Sequence, residues 1–298
     1  MPELPEVETI RRHLAPHVEG RDLADLDVED PRWCEPLAPD ELRDAVEGRT
    51  IERLGRRGKY LVWELADEVL LLMHLRMTGT LLLDPAPGVL YRRVRIVLSD
   101  GHELAFCDPR RFGTGQLVLG SDALEAFFAT RVGLEPLGPE LTGQTLRELA
   151  RGRRAPIKAF LLDQRRVAGV GNIYADEALF RARVHPLRPA GALTREQYEE
   201  LAAAVKVVLV AGIDAGGASI DDFRHPDGVQ GAFQHGFQVH LRRGEPCPRC
   251  GTEIVKFVAA GRGTYCCETC QKRPRAKRRA AREAGPSGRP RTSPGSPR

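Results

Sequence analysis

The chain has 298 residues, 42% of them hydrophobic and 29% charged, with a formal net charge of +4. Such a length can bury real cores and suggests two domains with small appendages, while the longest apolar runs, such as Val69 to Met73, are far too short to span a bilayer. The charge is uneven: residues 271–298 hold ten Lys and Arg against one Glu, a balance of +9 that leaves −5 for the rest, so a basic pI alone is weak evidence for a nucleic-acid partner.

In chain order, residues 5–14 read as a short helix, with Pro5 suited to its first turn and Val7, Ile10 and Leu14 on one face. No apolar region of the signal-peptide kind precedes it, so export is not expected and the thiols should stay reduced. From about Thr50 to Leu119 the pattern is strand-like. Tyr60–Leu65, Val69–Leu75, Thr80–Leu83, Tyr91–Leu98, Glu103–Cys107 and Gln116–Leu119 are short and apolar or alternating, with Gly, Pro and Asp between them. That rhythm predicts an antiparallel sandwich or barrel.

Pro136 to Pro139 reads as a linker, and helices follow it. One is expected over Thr142 to Arg151 and another from Pro156, with Ile157, Phe160 and Leu161 sharing a face. Gly169-Val-Gly171 breaks the pattern, and Asn172 is expected to cap a third helix, Ile173 to Arg181. Thr194-Arg-Glu-Gln197 is a capping box opening a helix to about Ala211. Residues 214–236 read as a long loop, a length that in compact domains is functional or disordered. From about Arg273 the chain is rich in Arg, Pro, Ser and Gly and is expected to be disordered.

The cysteines carry the clearest chemistry. Cys247 and Cys250 form one C-x2-C pair; Cys267 and Cys270 form a second, 16 residues further on. Two such knuckles over a short hairpin have the spacing of a four-thiolate structural zinc site, which would fold a segment too small for its own core. Disulfides are the alternative, disfavoured without export. Cys34, Cys107 and Cys266 are expected to be packing residues.

At the N-terminus, Pro2 is small enough for Met1 to be removed, leaving a secondary amine. An α-amine titrates near ~7.7–8.0, so part of it is neutral at physiological pH and able to attack an electrophilic carbon. Glu3 and Glu6 could move protons beside it. The same residues also suit a plain N-terminus with a proline-started helix.

Six features occur in one order: the run PELPEVE from Pro2, Gly58-Lys59-Tyr60, Met73-His-Leu-Arg-Met-Thr-Gly79, Asp108-Pro-Arg-Arg-Phe-Gly113, Gly169-Val-Gly-Asn-Ile-Tyr-Ala-Asp-Glu177 and the cysteine hairpin. Together they resemble formamidopyrimidine-DNA glycosylases, the bacterial MutM branch of the Fpg/Nei family, over about residues 2–271. The resemblance implies an α+β multidomain protein. Residues 1–135 would form a catalytic antiparallel β-sandwich, and residues 136–236 a helix-two-turn-helix DNA-binding domain with a lesion-capping loop. Residues 237–271 would form a zinc-finger β-hairpin holding one structural zinc on Cys247, Cys250, Cys267 and Cys270. Residues 272–298 would be a basic disordered tail.

The implied activity is base excision repair by a bifunctional glycosylase and AP lyase. It would remove 8-oxoguanine and formamidopyrimidines from double-stranded DNA through a Schiff base on Pro2, then cut the strand by β,δ-elimination. Glu3 matches the acid/base residue, Glu6 a second N-terminal acid that positions, and Lys59 a hairpin lysine for phosphate contact and proton donation. Lys59 is also the rival nucleophile. Met77, Arg110 and Phe112 match a wedge that fills the stack left by a flipped base, with Arg110 probing the orphaned partner. His74, Arg111, Lys158 and Asn172 match backbone-contacting positions, and Arg262 on the zinc hairpin a phosphate-gripping arginine that completes the site. The loop Ser219 to Phe233 matches the lesion cap. A cytoplasmic, nucleoid-associated monomer with damaged DNA as partner and no membrane contact is expected. The alternatives are a Nei-type glycosylase for oxidised pyrimidines and a non-catalytic zinc protein that binds damaged DNA.

Overall fold

A computed structural model of the protein describes residues 1–219 and 226–274. Helix α1 (Leu4–Val18) opens the chain and runs longer than its apolar spacing suggested, because Pro16 falls in its last turn, where little helix remains to break. Strand β1 (Leu23–Val28) and helix α2 (Pro39–Val46) follow; neither was expected from the sequence. The signals for α2 are Pro39 in the first turn, Glu41 accepting from the Ala38 N–H at 2.9 Å, and Leu42 and Val46 four apart.

Strands β2 (Ile51–Arg57), β3 (Tyr60–Leu65), β4 (Val69–His74), β5 (Thr80–Leu83), β6 (Arg92–Leu98), β7 (Glu103–Cys107) and β8 (Thr114–Leu119) complete two antiparallel sheets. Their strand orders are β1-β6-β7-β5 and β2-β3-β4-β8. The sheets face each other as the predicted sandwich. Leu26, Ile96 and Phe106 of one sheet share a core with Leu61, Trp63, Leu71 and Met73 of the other, and Val7, Ile10 and Leu14 of α1 close it. The second sheet is covered on its outer face too: Val62, Leu70 and Leu72 pack on Phe128, Val132 and Ala168. Strand β4 is therefore buried on both sides and reads as a continuous apolar run rather than an alternation. Phe128 comes from helix α3 (Ser121–Ala129), also missed in the sequence.

The second body holds helices α4 (Gly143–Ala150), α5 (Ile157–Leu162), α6 (Asn172–Arg181) and α7 (Arg195–Asp214). Thr142 caps α4, accepting from Thr145 N–H at 3.0 Å, and the capping box at Thr194 and Gln197 opens α7 as expected. Leu4, at the start of α1, belongs to this helical core, so α1 bridges the two bodies. The chain just before the expected linker is pinned as well: Glu135 accepts from Arg56 Nη1 at 3.1 Å and from the Gly58 N–H.

The cysteine hairpin pairs β9 (Val255–Ala259) with β10 (Arg262–Cys266). It rests on α6 through a small core of Phe180, Val239, Ile254 and Tyr265. The fold is thus an α+β sandwich with a helical domain and a cysteine hairpin. Among the described residues no helix is long and apolar enough to cross a membrane. The expected tail, apart from Lys272 to Pro274, and residues 220–225 of the expected capping loop lie outside the described residues.

Candidate active site and nucleic-acid interface

A cleft of about 820 Å³ opens where the two bodies meet. Pro2, Glu3, Glu6, Lys59 and His74 line one part of it; Met77, Arg110, Asn172 and Arg262 line another. Nine of the expected site residues, scattered over 260 positions of sequence, are therefore gathered in one cavity. Met1 still precedes Pro2 and also lines the cleft, so its removal would leave the Pro2 nitrogen in the cavity.

Glu3 is held at the start of α6. Its Oε1 accepts the Ile173 N–H at 3.1 Å, so the partial positive charge of the helix N-terminus faces this carboxylate. Its other oxygen, Oε2, is buried with no partner. A buried acceptor without a donor is costly unless something else uses it. Gly171 makes the approach possible, since a Cβ there would stand 2.3 Å from the Glu3 carboxyl carbon.

Glu6 is fully satisfied. Its Oε1 accepts from the Tyr174 hydroxyl at 2.6 Å and the Ala218 N–H at 2.8 Å, and its Oε2 from the Glu3 N–H at 2.8 Å. Burial, and then the nearby Glu3, push its pKa up from the ordinary carboxylate value. Glu6 thus joins α1, α6 and the chain after α7. Gly217, at φ +78°, supplies a left-handed turn there and leaves room for the Glu6 side chain.

Lys59 sits in the two-residue turn between β2 and β3 and is buried. Burial lowers its pKa, Glu3 and Glu6 oppose that, and Arg262 adds to it. The lysine makes no ion pair among the described residues, so its amine is free for a ligand. His74, at the end of β4, is held neutral: burial, Arg76 and Lys59 pull its pKa down to about 3. Its Nδ1 accepts from the Arg76 N–H at 3.0 Å, which leaves Nε2 as the donor.

The expected wedge residues are accessible. Phe112 is 51% exposed, large for an aromatic side chain, and the Arg110 guanidinium lies 4.9 Å from its ring centroid. Arg111 is exposed and its Nε donates to the buried Asp30 at 2.6 Å, which holds that carboxyl well below the usual range. Neither Phe112 nor Arg111 lines the cleft itself.

Two expectations need correction. Lys158 does not reach the surface: it is fully buried, and its Nζ donates to Asp176 at 2.7 Å, to Thr264 Oγ1 at 2.9 Å and to the Gly263 carbonyl at 3.2 Å. All three ammonium donors are spent, so Lys158 braces the hairpin from behind instead of contacting phosphate. Asn172 does not cap α6; Gly171 holds that position and Asn172 is the first helical residue. Its Nδ2 donates to the Gly263 carbonyl at 3.0 Å, while its Oδ1 has no partner. Lys158 and Asn172 thus both fix the residue next to Arg262.

Several site residues were not singled out from sequence. Tyr174, Asp176 and Glu177 lie in a run that was noticed without being assigned roles. Glu177 accepts three consecutive N–H groups, from Gln238, Val239 and His240 at 2.8–3.0 Å. Asp176 accepts from Lys158, from the Tyr265 N–H and, at 2.9 Å, pairs with His240 Nδ1. Two neighbouring acids on α6 so anchor the whole hairpin segment. Gln164, which accepts the Gly169 N–H and donates to the Val170 carbonyl, was missed entirely.

The four hairpin cysteines converge: every sulfur lies within 4.8 Å of the others, with Cys250 and Cys267 at 3.5 Å and Cys247 and Cys270 at 3.9 Å. A tetrahedral zinc with bonds of about 2.3 Å needs sulfurs roughly 3.8 Å apart, so the donor set fits one structural zinc with no open position. Cys34, Cys107 and Cys266 are buried outside this cluster.

Comparison with known proteins follows the same division of the chain. The formamidopyrimidine-DNA glycosylase N-terminal domain matches residues 1–115, the H2TH domain of those enzymes residues 132–224, and the zinc finger found in FPG and IleRS residues 244–273. A formamidopyrimidine-DNA glycosylase of Chloroflexus aurantiacus is 46% identical, over 91% of this chain and 98% of its own. The crystal structure of the MutM (Fpg) protein of Thermus thermophilus superposes with a TM-score of 0.81 at 44% identity, over 91% of this chain and 98% of its own. A Lactococcus lactis Fpg variant bound to Fapy-dG-containing DNA gives 0.85 at 36% identity, over 91% of this chain and all of its own.

Proposed function

Because this chain belongs to the formamidopyrimidine-DNA glycosylase family, we propose that its cleft carries out a two-stage reaction on damaged duplex DNA with Pro2 as nucleophile. The chain is a DNA glycosylase of base excision repair with an associated AP lyase activity.

With Met1 removed, the neutral Pro2 amine attacks C1′ of an everted nucleotide. The C1′–N bond breaks, the base leaves with a proton, and the sugar ring, its O4′ taking up a proton, opens to an iminium, the Schiff base of a secondary amine, whose nitrogen carries no hydrogen. That iminium is the electron sink for β-elimination and then δ-elimination, which expel the phosphates on either side. Glu3 is placed for the proton transfers, because its Oε2 is buried, unpartnered and one residue from the nucleophile. This orphaned oxygen is the single observation that carries the proposal. Glu6, with both carboxylate oxygens engaged, positions rather than reacts. Its bonds fix the N-terminal helix against α6.

Lys59, His74 and Arg262 supply the cationic and neutral donors for the flanking phosphates. Burial lowers the Lys59 pKa from the ordinary lysine value, which makes its ammonium a readier proton donor than an exposed lysine. Met77, Arg110 and Phe112 fill the vacated stack. The zinc reacts with nothing: four thiolates would close its coordination, and its part is to fold the hairpin that presents Arg262. The preferred substrate class is oxidised purines. The protein works as a monomer in the bacterial cytoplasm, on nucleoid DNA.

The test is excision from matched duplexes carrying 8-oxoguanine, formamidopyrimidine or an oxidised pyrimidine. Faster release of the two purine lesions is expected; faster release of the pyrimidine would move the protein to the Nei-type reading. Tight binding without release of any base would mean that the protein only recognises damage.

A further inference from the structure

One buried carboxylate outside the reacting centre joins the two segments that carry the wedge. Asp108 is 1% exposed and follows directly on β7. Its Oδ1 accepts from the Thr78 hydroxyl and, at 3.1 Å, from the Arg110 N–H. Its Oδ2 accepts from the Phe112 N–H at 2.8 Å and the Gly113 N–H at 2.7 Å. Thr78 is the neighbour of Met77 in the turn between β4 and β5, whereas Arg110 and Phe112 lie between β7 and β8. Both turns contain a non-glycine residue with left-handed backbone, Arg76 at φ 55° and Arg111 at φ 58°, so neither holds its shape by regular secondary structure.

We propose that Asp108 is a positioning residue for discrimination of the base opposite the lesion, locking the Met77 turn and the Arg110–Phe112 turn into one unit. The proposal rests on the reading of Met77, Arg110 and Phe112 as the wedge. A side chain that fills a vacated base stack must resist the pressure of the neighbouring bases, and the resistance has to come from behind it. All four partners of Asp108 are donors, and an ionised carboxylate offers acceptors only, so the match is complete. An asparagine would turn an NH2 group toward at least one of those donors. The carboxylate touches no reacting atom; it acts through Arg110.

The experiment compares Asp108→Asn, Thr78→Val and Arg110→Ala in the full zinc-loaded protein. Three quantities are measured: excision of 8-oxoguanine opposite cytosine and opposite adenine, strand cleavage at a preformed abasic site in single-stranded DNA, and bound zinc. Single-stranded DNA has no opposite base, so its cleavage reports the catalytic centre alone. Asp108→Asn is expected to compress the cytosine-over-adenine preference by about tenfold, the size of one lost charge-assisted hydrogen bond, with single-strand cleavage and zinc unchanged. Thr78→Val, which keeps the three backbone bonds and removes only the link between the turns, is expected to compress it by about threefold. Should Asp108→Asn lose its zinc or fail to fold, Thr78→Val decides the matter. If both variants keep the wild-type preference while Arg110→Ala loses it, Asp108 has no such role and the wedge stands. If Arg110→Ala keeps it too, the wedge reading itself falls. An equal loss of every activity, single-strand cleavage included, would make Asp108 an ordinary structural residue and overturn the proposal.

Discussion

The Tyr174 hydroxyl donates a 2.6 Å hydrogen bond to Glu6 Oε1, tying a helix of the second body to the helix that starts beside Pro2. Both groups are buried, so the two bodies are joined at the reacting centre and not only at their rims. Tyr174→Phe removes one of the three donors to Glu6. A loss of about 1–3 kcal/mol in stability is expected. Excision should fall while zinc stays bound, because the hairpin does not depend on this bond. Thermal unfolding and single-turnover excision measure the two effects.

Lys158 and Asp176 form a fully buried ion pair beneath the hairpin. Lys158→Met leaves Asp176 without its strongest partner and is expected to cost about 3–5 kcal/mol. The double variant Lys158→Met/Asp176→Asn should recover part of that loss, since no unpaired charge remains. Denaturant unfolding of the wild type, both single variants and the double closes the cycle. Strict additivity would show that the pair does not interact.

His74 has its pKa held at about 3, below the unfolded value of about 6.5. The unfolded chain therefore binds a proton that the folded chain refuses between those limits. Stability from this residue is present above about pH 6.5 and is lost as pH falls toward 3. Replacing it, as His74→Asn, should flatten the pH dependence of unfolding in that window by about one proton. DNA affinity of the wild type should show no histidine step between pH 5 and 8. Such a step, if lost in His74→Asn, would place a charged His74 at the phosphate; His240 also lines the cleft.

Removing zinc should release the hairpin and take Arg262 out of the cleft, leaving the β-sandwich folded. Arg262→Gln should weaken binding to all duplexes alike and lower the slope of log affinity against log salt by about 0.9, one phosphate contact. Both follow from titrations at several salt concentrations. An unchanged slope would remove Arg262 from the DNA contacts.

Part of this site could be read from the sequence because its chemistry is local. The cysteine spacing signals itself within a few residues, whereas Pro2 and the run from Gly169 take their expected roles only from the ordered set of motifs that resembles the family. What escaped depends on contacts across the chain. Lys158 looks like any surface lysine until Asp176, Thr264 and Gly263, 18 to 106 positions away, close around it. Phe112 looks like core because its exposure is set by the turn it sits in. Helix α2 and strand β1 have short, weak periodicities that only their packing on the sandwich makes decisive.

The most direct test of the account is to trap the intermediate. The mature protein is incubated with an 8-oxoguanine:cytosine duplex and borohydride, and the cross-linked peptide is sequenced. The account predicts a single adduct on the N-terminal Pro2, absent when Met1 is retained. An adduct on Lys59, or rapid excision with no adduct at all, would contradict it.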